Sequence, residues 1–283
     1  MTIERIGVVG AGQMGAGIAQ VAAIAHLDVL VTDISDEQLT LGRTTIDQSL
    51  ARFVKKEQLT RDDADAAKNR IVWSIEIGDH CDRQIVVEAV TEDESLKKAI
   101  FTQLDSICPA ETILASNTSS ISITRLAAAT KRAERFIGMH FMNPVPMMEL
   151  VEVIRTMATS DATYEATRSL AERMGKTTTL AQDYPGFIAN RILMPMINEA
   201  FFTLMEGVGT AEDIDTTLKL GANQPMGPLT LADLIGLDTC LAIMEVLHRE
   251  LGDAKYRPCP LLRKYVAAKW LGRKSGRGVY IYT

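Results

Sequence analysis

Two short runs of β-forming residues, Arg5–Val9 and Asp28–Val31, flank the turn Gly10-Ala11-Gly12-Gln13-Met14-Gly15 and an alanine-rich helical pattern that extends to about Ala25. Asp33 follows the second run. Strand, glycine turn, helix, strand and acid, in that order, make up the βαβ unit that binds a dinucleotide. Gly10 permits the tight turn out of the strand, Gly12 lets the backbone approach a pyrophosphate, and Gly15 lets the helix pack on the sheet. The helix start adds N–H donors and positive potential. A carboxylate at Asp33 accepts hydrogen bonds from both ribose hydroxyls and repels a 2′-phosphate, which favours NAD over NADP. Gly10, Gly12, Gln13, Met14, Gly15 and Asp33 are therefore the candidate cofactor cradle. A purely structural turn is the competing reading, and the unit alone does not choose between nicotinamide and flavin.

Beyond this unit the chain alternates. Ser35–Asn69 reads as two helices broken near Gln58-Leu59-Thr60, an insertion where a single crossover is usual. Strands are expected at Ile71–Ile75, Gln84–Val87, Thr112–Ala115, Phe136–Met139, Glu149–Ile154 and Thr177–Ala181, with helices over Leu96–Ile107 and about Ala162–Met174. After Pro185-Gly186 the pattern becomes helical, at about 187–206, 211–220, 229–250 and 259–270, with one last strand at Val279–Tyr282. The expected fold is α/β. A Rossmann-type, mostly parallel sheet domain with a helical insertion (residues 1–184) precedes an all-α domain (185–283). The helix Phe187–Glu206 is apolar nearly all round, with Pro195 expected to kink it, so it is central to its domain or shared with another chain.

Composition narrows the function. The 283 residues are 47% hydrophobic and 23% charged, which excludes wholesale disorder. A net charge of −6 makes nonspecific nucleic-acid binding a poor fit. The charge is uneven, however: eight of the 30 basic residues and none of the acidic ones follow Asp253. The four cysteines and four histidines are scattered without ligand spacing, so neither disulfides nor a metal site are expected. The uncharged stretch Ile6–His26 contains five glycines and lacks a basic leader. It reads as neither signal peptide nor membrane span, which points to the cytoplasm.

Three polar groups fall at or near the carboxyl ends of expected strands, where ligands bind in an open α/β sheet: Ser119, His140 and Glu152. A carboxylate beside an imidazole orients it and stabilises its charged form, as a general base for alcohol oxidation requires. Glu149 rivals Glu152 for that place. Three residues apart on a strand, the two face opposite ways, so only one should reach His140. Asn143-Pro144-Val145-Pro146 stiffens the following loop. Ser119 has an alternative role as the cap of a helix beginning near Ser120–Ile123, Asn190 as a surface residue, and Lys55-Lys56 as a solvated helix end.

The segments GAGQMGAGIAQ, ASNTSS, GMHFMNPVP, LVEVI, PGFIANRI, KLGANQPMGPLTLADLIGLD and GRKSGRGVY, in this order over essentially the whole chain, closely resemble the short-chain L-3-hydroxyacyl-CoA dehydrogenases. The resemblance implies NAD-dependent interconversion of 3-hydroxyacyl-CoA and 3-ketoacyl-CoA. It makes His140 the base and Glu152, not Glu149, its partner, with Ser119 on the substrate's 3-oxygen and Asn190 completing the site from the second domain. It also implies cofactor contacts at Glu92, Lys97, Ser119, Asn143 and Lys274, coenzyme A contacts at Ser49 and Lys56, and a homodimer formed through the helical domain. Met142 departs from the phenylalanine common in relatives, and His26-Leu27 from a loop that often contains glycine. A same-fold dehydrogenase of a free 3-hydroxy acid or sugar acid is the nearest alternative. A non-catalytic NAD-binding protein would be expected to have lost one of Ser119, His140, Glu152 or Asn190.

Overall fold

The computed structural model describes residues 2–282, which form two compact units, one running through Tyr184 and the other starting at Pro185. In the first unit, β1 (Arg5–Val9), α1 (Gln13–Ile24) and β2 (Asp28–Thr32) form the βαβ unit. The insertion follows as α2 (Asp36–Lys55) and α3 (Arg61–Asn69), and then β3 (Ile71–Ser74). Both insertion helices start on hydroxyl caps, Ser35 accepting from Gln38 N and Thr60 from Asp63 N. Asp36 and Glu37 in the first turn of α2, and Arg52 and Lys55 in its last, complement the helix dipole.

The chain continues through β4 (Ile85–Glu88), α4 (Glu94–Ile107), β5 (Ile113–Ser116), α5 (Ile123–Ala127), β6 (Phe136–Phe141), β7 (Leu150–Arg155), α6 (Asp161–Arg173) and β8 (Thr177–Gln182). One sheet results, in the order β3-β2-β1-β4-β5-β6-β7-β8. Strands β1 to β6 are mutually parallel. β7 is antiparallel to β6 and parallel to β8. The first six strands thus have the 3-2-1-4-5-6 order of a doubly wound dinucleotide fold. Its switch point lies between β1 and β4, whose side chains Ile6, Val8, Ile85 and Val87 belong to the buried core.

The second unit contains α7 (Ala189–Met205), α8 (Ala211–Gly221), α9 (Pro228–Ile235), α10 (Leu237–Leu251) and α11 (Pro260–Ala267) around its own core of Met194, Ile197, Phe201, Leu229, Leu237, Met244 and Leu247. Pro195 lies inside α7. Two expectations need correction here. The helix expected over 229–250 is two helices, because Gly236 takes φ +105, a left-handed conformation that interrupts α-helical geometry and favours glycine. The strand expected at Val279–Tyr282 is instead a strap. Buried Asp233 accepts hydrogen bonds from Val279 N, Tyr280 N and Tyr282 Oη, so a carboxylate replaces a neighbouring strand.

His80, in the turn between β3 and β4, is fully buried, and its Nε2 lies 2.9 Å from Thr32 Oγ1. Burial, aided by the Arg83 guanidinium and opposed by Asp79 and Asp82, pushes its pKa down to about 4. The unfolded chain therefore binds this proton first as pH falls. His80 should contribute full stability above about pH 6.5 and lose it progressively towards pH 4, by about 3 kcal/mol in all. Urea midpoints across this range should fall more steeply for the natural protein than for His80→Gln. Parallel slopes would contradict the assignment.

Candidate active site

The glycine turn closes on the neighbouring strand loop. Gly10 has φ +106, and a Cβ there would lie 2.8 Å from Ala89 O, just beyond β4. A Cβ on Gly15 would lie 1.8 Å from Gly10 O, so the turn and helix accept no side chain at either position. Gly12 differs, because a Cβ there would meet nothing within 4 Å and would project into open space. Helix α1 begins after Gly12 with no side-chain cap and no acid in its first turn. Its first N–H groups, including those of Gln13, Met14 and Gly15, thus face an open, uncapped end suited to a pyrophosphate. Asp33 accepts from Ala11 N (2.6 Å) and Ile34 N (2.7 Å), which holds its carboxylate beside the turn. These residues fit a dinucleotide.

The second cluster lies at the sheet's carboxyl edge. The antiparallel register of β6 and β7 pairs His140 directly with Glu152, and directly opposed residues share a face. His140 Nδ1 lies 2.8 Å from Glu152 Oε2, with the two residues 5% and 1% exposed. A carboxylate accepts, so in the neutral ring Nδ1 carries the proton and Nε2 is the acceptor. Ser119 Oγ stands 3.1 Å from that Nε2. Glu149 precedes β7 and is exposed.

Two expected placements change. Glu152 is not at the end of its strand but third in β7, and strand reversal brings that beginning to the carboxyl edge. The helix after Ser119 starts at Ile123 and is capped by Ser122, whose hydroxyl accepts from Arg125 N; Ser119 is not its cap.

Glu92 holds the loop that carries Ser119. Its Oε1 accepts from Thr118 Oγ1, Ser119 N, Ser120 N and Ser120 Oγ at 2.5–3.1 Å. Lys97 is 1% exposed, with Nζ 2.6 Å from Glu88 Oε1 and 3.5 Å from Glu92 Oε2. Glu88, fully buried, also accepts from Ser116 Oγ and Val90 N. Asn117 Oδ1 accepts from Phe141 N, tying this loop to β6. Sequence reasoning passed over Glu88 and Asn117. The only signal was a charged residue ending an otherwise apolar strand.

The remaining candidates lie on other elements. Ser49 is buried within α2, and Lys56 is the exposed residue ending that helix. Asn143 is exposed in the loop after β6. Asn190 is in the first turn of α7, and Lys274 Nζ lies 2.7 Å from Asp238 Oδ2; both belong to the second unit. Among the described residues, no group of three or more His, Cys, Asp or Glu is placed to hold a metal ion, and no helix is long and apolar enough to cross a membrane.

A doubly wound sheet with an open glycine cradle and a serine–histidine–carboxylate chain at the same edge defines the class of dinucleotide-dependent dehydrogenases. The family models agree: "3-hydroxyacyl-CoA dehydrogenase, NAD binding domain" matches residues 5–184 and the C-terminal domain of the same name matches 186–282. The chain is 57% identical over 280 residues to the 3-hydroxybutyryl-CoA dehydrogenase of Bradyrhizobium diazoefficiens, covering 99% of this chain and 96% of that one. It is 56% identical to a probable 3-hydroxybutyryl-CoA dehydrogenase of Bacillus subtilis, covering 100% and 98%. The crystal structure of (S)-3-hydroxybutyryl-CoA dehydrogenase from Ralstonia eutropha superposes with a TM-score of 0.97 at 54% identity, covering both chains fully. The chain belongs to the 3-hydroxyacyl-CoA dehydrogenase family, and its first unit is that family's nicotinamide-dinucleotide-binding domain.

Proposed function

We propose that this chain catalyses the reversible, NAD-dependent oxidation of (S)-3-hydroxyacyl-CoA to 3-ketoacyl-CoA, with 3-hydroxybutyryl-CoA and acetoacetyl-CoA as the preferred pair. The hydrogen-bonded series Ser119–His140–Glu152 carries this reading. His140 Nε2 removes the proton from the substrate's 3-hydroxyl, and Glu152 stabilises the imidazolium that forms. The bound nicotinamide supplies the acceptor for the hydride that leaves C3. In the reverse direction the imidazolium returns the proton to the 3-oxygen. Ser119 Oγ, beside Nε2, steadies that oxygen, and Asn190 is a further substrate contact.

Gly10, Gly12, Gln13, Met14 and Gly15 hold the pyrophosphate, and Asp33 the adenosine ribose, which selects NAD over NADP. Glu92, Lys97, Asn143 and Lys274 serve the cofactor further along, while Ser49 and Lys56 bind coenzyme A. The exposed Ile188, Ile192 and Met205 of the α7 segment support a homodimer formed through the second unit. We place the enzyme in the cytoplasm.

The test compares NADH oxidation with acetoacetyl-CoA, free acetoacetate and longer 3-ketoacyl-CoAs, and repeats the first with NADPH. Acetoacetyl-CoA should exceed acetoacetate in kcat/KM by about 10²-fold or more, because binding energy of the remote coenzyme A serves the reaction. Equal values would favour the free-acid reading, and no turnover with any acyl-CoA would remove the proposal.

A further inference from the structure

The loop from Met142 to Glu149 joins β6 to β7, and it rests on a buried cation that none of the assignments above uses. Lys176, between α6 and β8, is 8% exposed, and its Nζ donates to Val145 O at 2.6 Å and to Met148 O at 2.8 Å. Burial lowers its pKa, partly offset by the Glu149 carboxylate. Removing an ammonium from water is costly unless its donors are satisfied. Here two of its three donors are spent on carbonyls three residues apart in one loop.

The same loop is fixed from another side. Val145 is 2% exposed, and a Cβ on Gly17 of α1 would approach Val145 Cβ to 2.7 Å, so the loop lies directly on the helix that starts at the glycine cradle. Pro144 O accepts from Met147 N and Met148 N and turns the loop back on itself. Asn143, just before this turn, is exposed. At its far end the loop is tied to β8, where Thr177 N donates to Glu149 O. Between that tie and β6, the contact with α1 and the ammonium of Lys176 set its height.

We propose that Lys176 is a positioning residue for the cofactor: by holding the carbonyls of Val145 and Met148 it fixes the loop over α1 and so places the Asn143 amide for the nicotinamide end of the dinucleotide. The proposal rests on the assignment of Asn143 to the cofactor. Lys176 makes no contact with cofactor itself. Its loss should therefore weaken NADH binding only through Asn143.

A double-mutant cycle on the full chain, read by equilibrium NADH binding through fluorescence titration, tests this. Asn143→Ala and Lys176→Met should each weaken NADH by about tenfold. The double variant should bind no more weakly than Asn143→Ala alone, and the KM for acetoacetyl-CoA should change little in either single variant. Lys176→Gln, which keeps one shorter donor arm, should give an intermediate loss and serves if Lys176→Met does not fold. Losses that multiply in the double variant, or NADH binding unchanged in both Lys176 variants, would overturn the proposal alone. Natural binding strength in Asn143→Ala would remove the Asn143 assignment, and the proposal with it. A lower melting temperature with unchanged NADH affinity would leave Lys176 a purely structural residue and likewise overturn it.

Discussion

His140→Gln is expected to lower kcat for acetoacetyl-CoA reduction by about 10²–10⁴-fold, the usual contribution of general acid–base catalysis. Glutamine keeps a polar side chain of similar reach next to Glu152 and Ser119, but it neither takes nor returns a proton near neutral pH. NADH binding should stay near that of the natural protein, because the glycine turn, Asp33 and the open start of α1 contain no part of His140. A fluorescence titration beside the rate measurement separates the two effects. Near-normal kcat would remove His140 from its role, and NADH binding lost in step with kcat would mean that the substitution disturbs the sheet edge as a whole.

Glu152→Gln is the second large effect. The pair is buried on directly opposed residues of β6 and β7, so losing the negative charge removes both the ring's fixed orientation and the stabilisation of its imidazolium. In the related arrangement of hydrolase triads, the same change from carboxylate to amide costs about 10⁴-fold. A fall of about 10²-fold or more in kcat is expected here, together with a lower melting temperature, since breaking one side of a buried pair is destabilising. Glu149→Gln is the control. That residue is exposed and outside β7, and its kcat should match that of the natural protein. A loss in Glu149→Gln comparable with that in Glu152→Gln would show that nearby negative charge, not the paired geometry, is what matters.

The βαβ unit was legible because its constraints are local. Gly10 and Gly15 are required by backbone geometry within one turn, Gly12 leaves the turn's outer side open, and apolar periodicity marks the strands on either side. The two insertion helices were legible for the same reason, from their break near Gln58-Leu59-Thr60, and the structure shows them capped by Ser35 and Thr60. The errors share a cause as well. Gly236 carries no local sign that its φ must be positive, and the 229–250 pattern continues through it. The segment Val279–Tyr282 has strand-forming residues, yet Asp233, far away in sequence, supplies its hydrogen-bond partner.

At the site, periodicity showed that Glu149 and Glu152 could not both reach His140 but not which of them would. The choice depends on the direction and register of β7 against β6, which result from long-range pairing. Buried Glu88 and Lys176 escaped for a related reason. A charge in sequence looks solvated until the fold shows what surrounds it. By itself the sequence determined the dinucleotide unit, the succession of elements and the residue types available for acid–base chemistry, because turns, caps and apolar periodicity act over a few neighbouring residues. The family resemblance already named Glu152, but only the tertiary structure supplied the reason it faces His140, what holds Ser119 in place and where Lys176 spends its charge, because these depend on strand order, register and burial between residues distant in the chain.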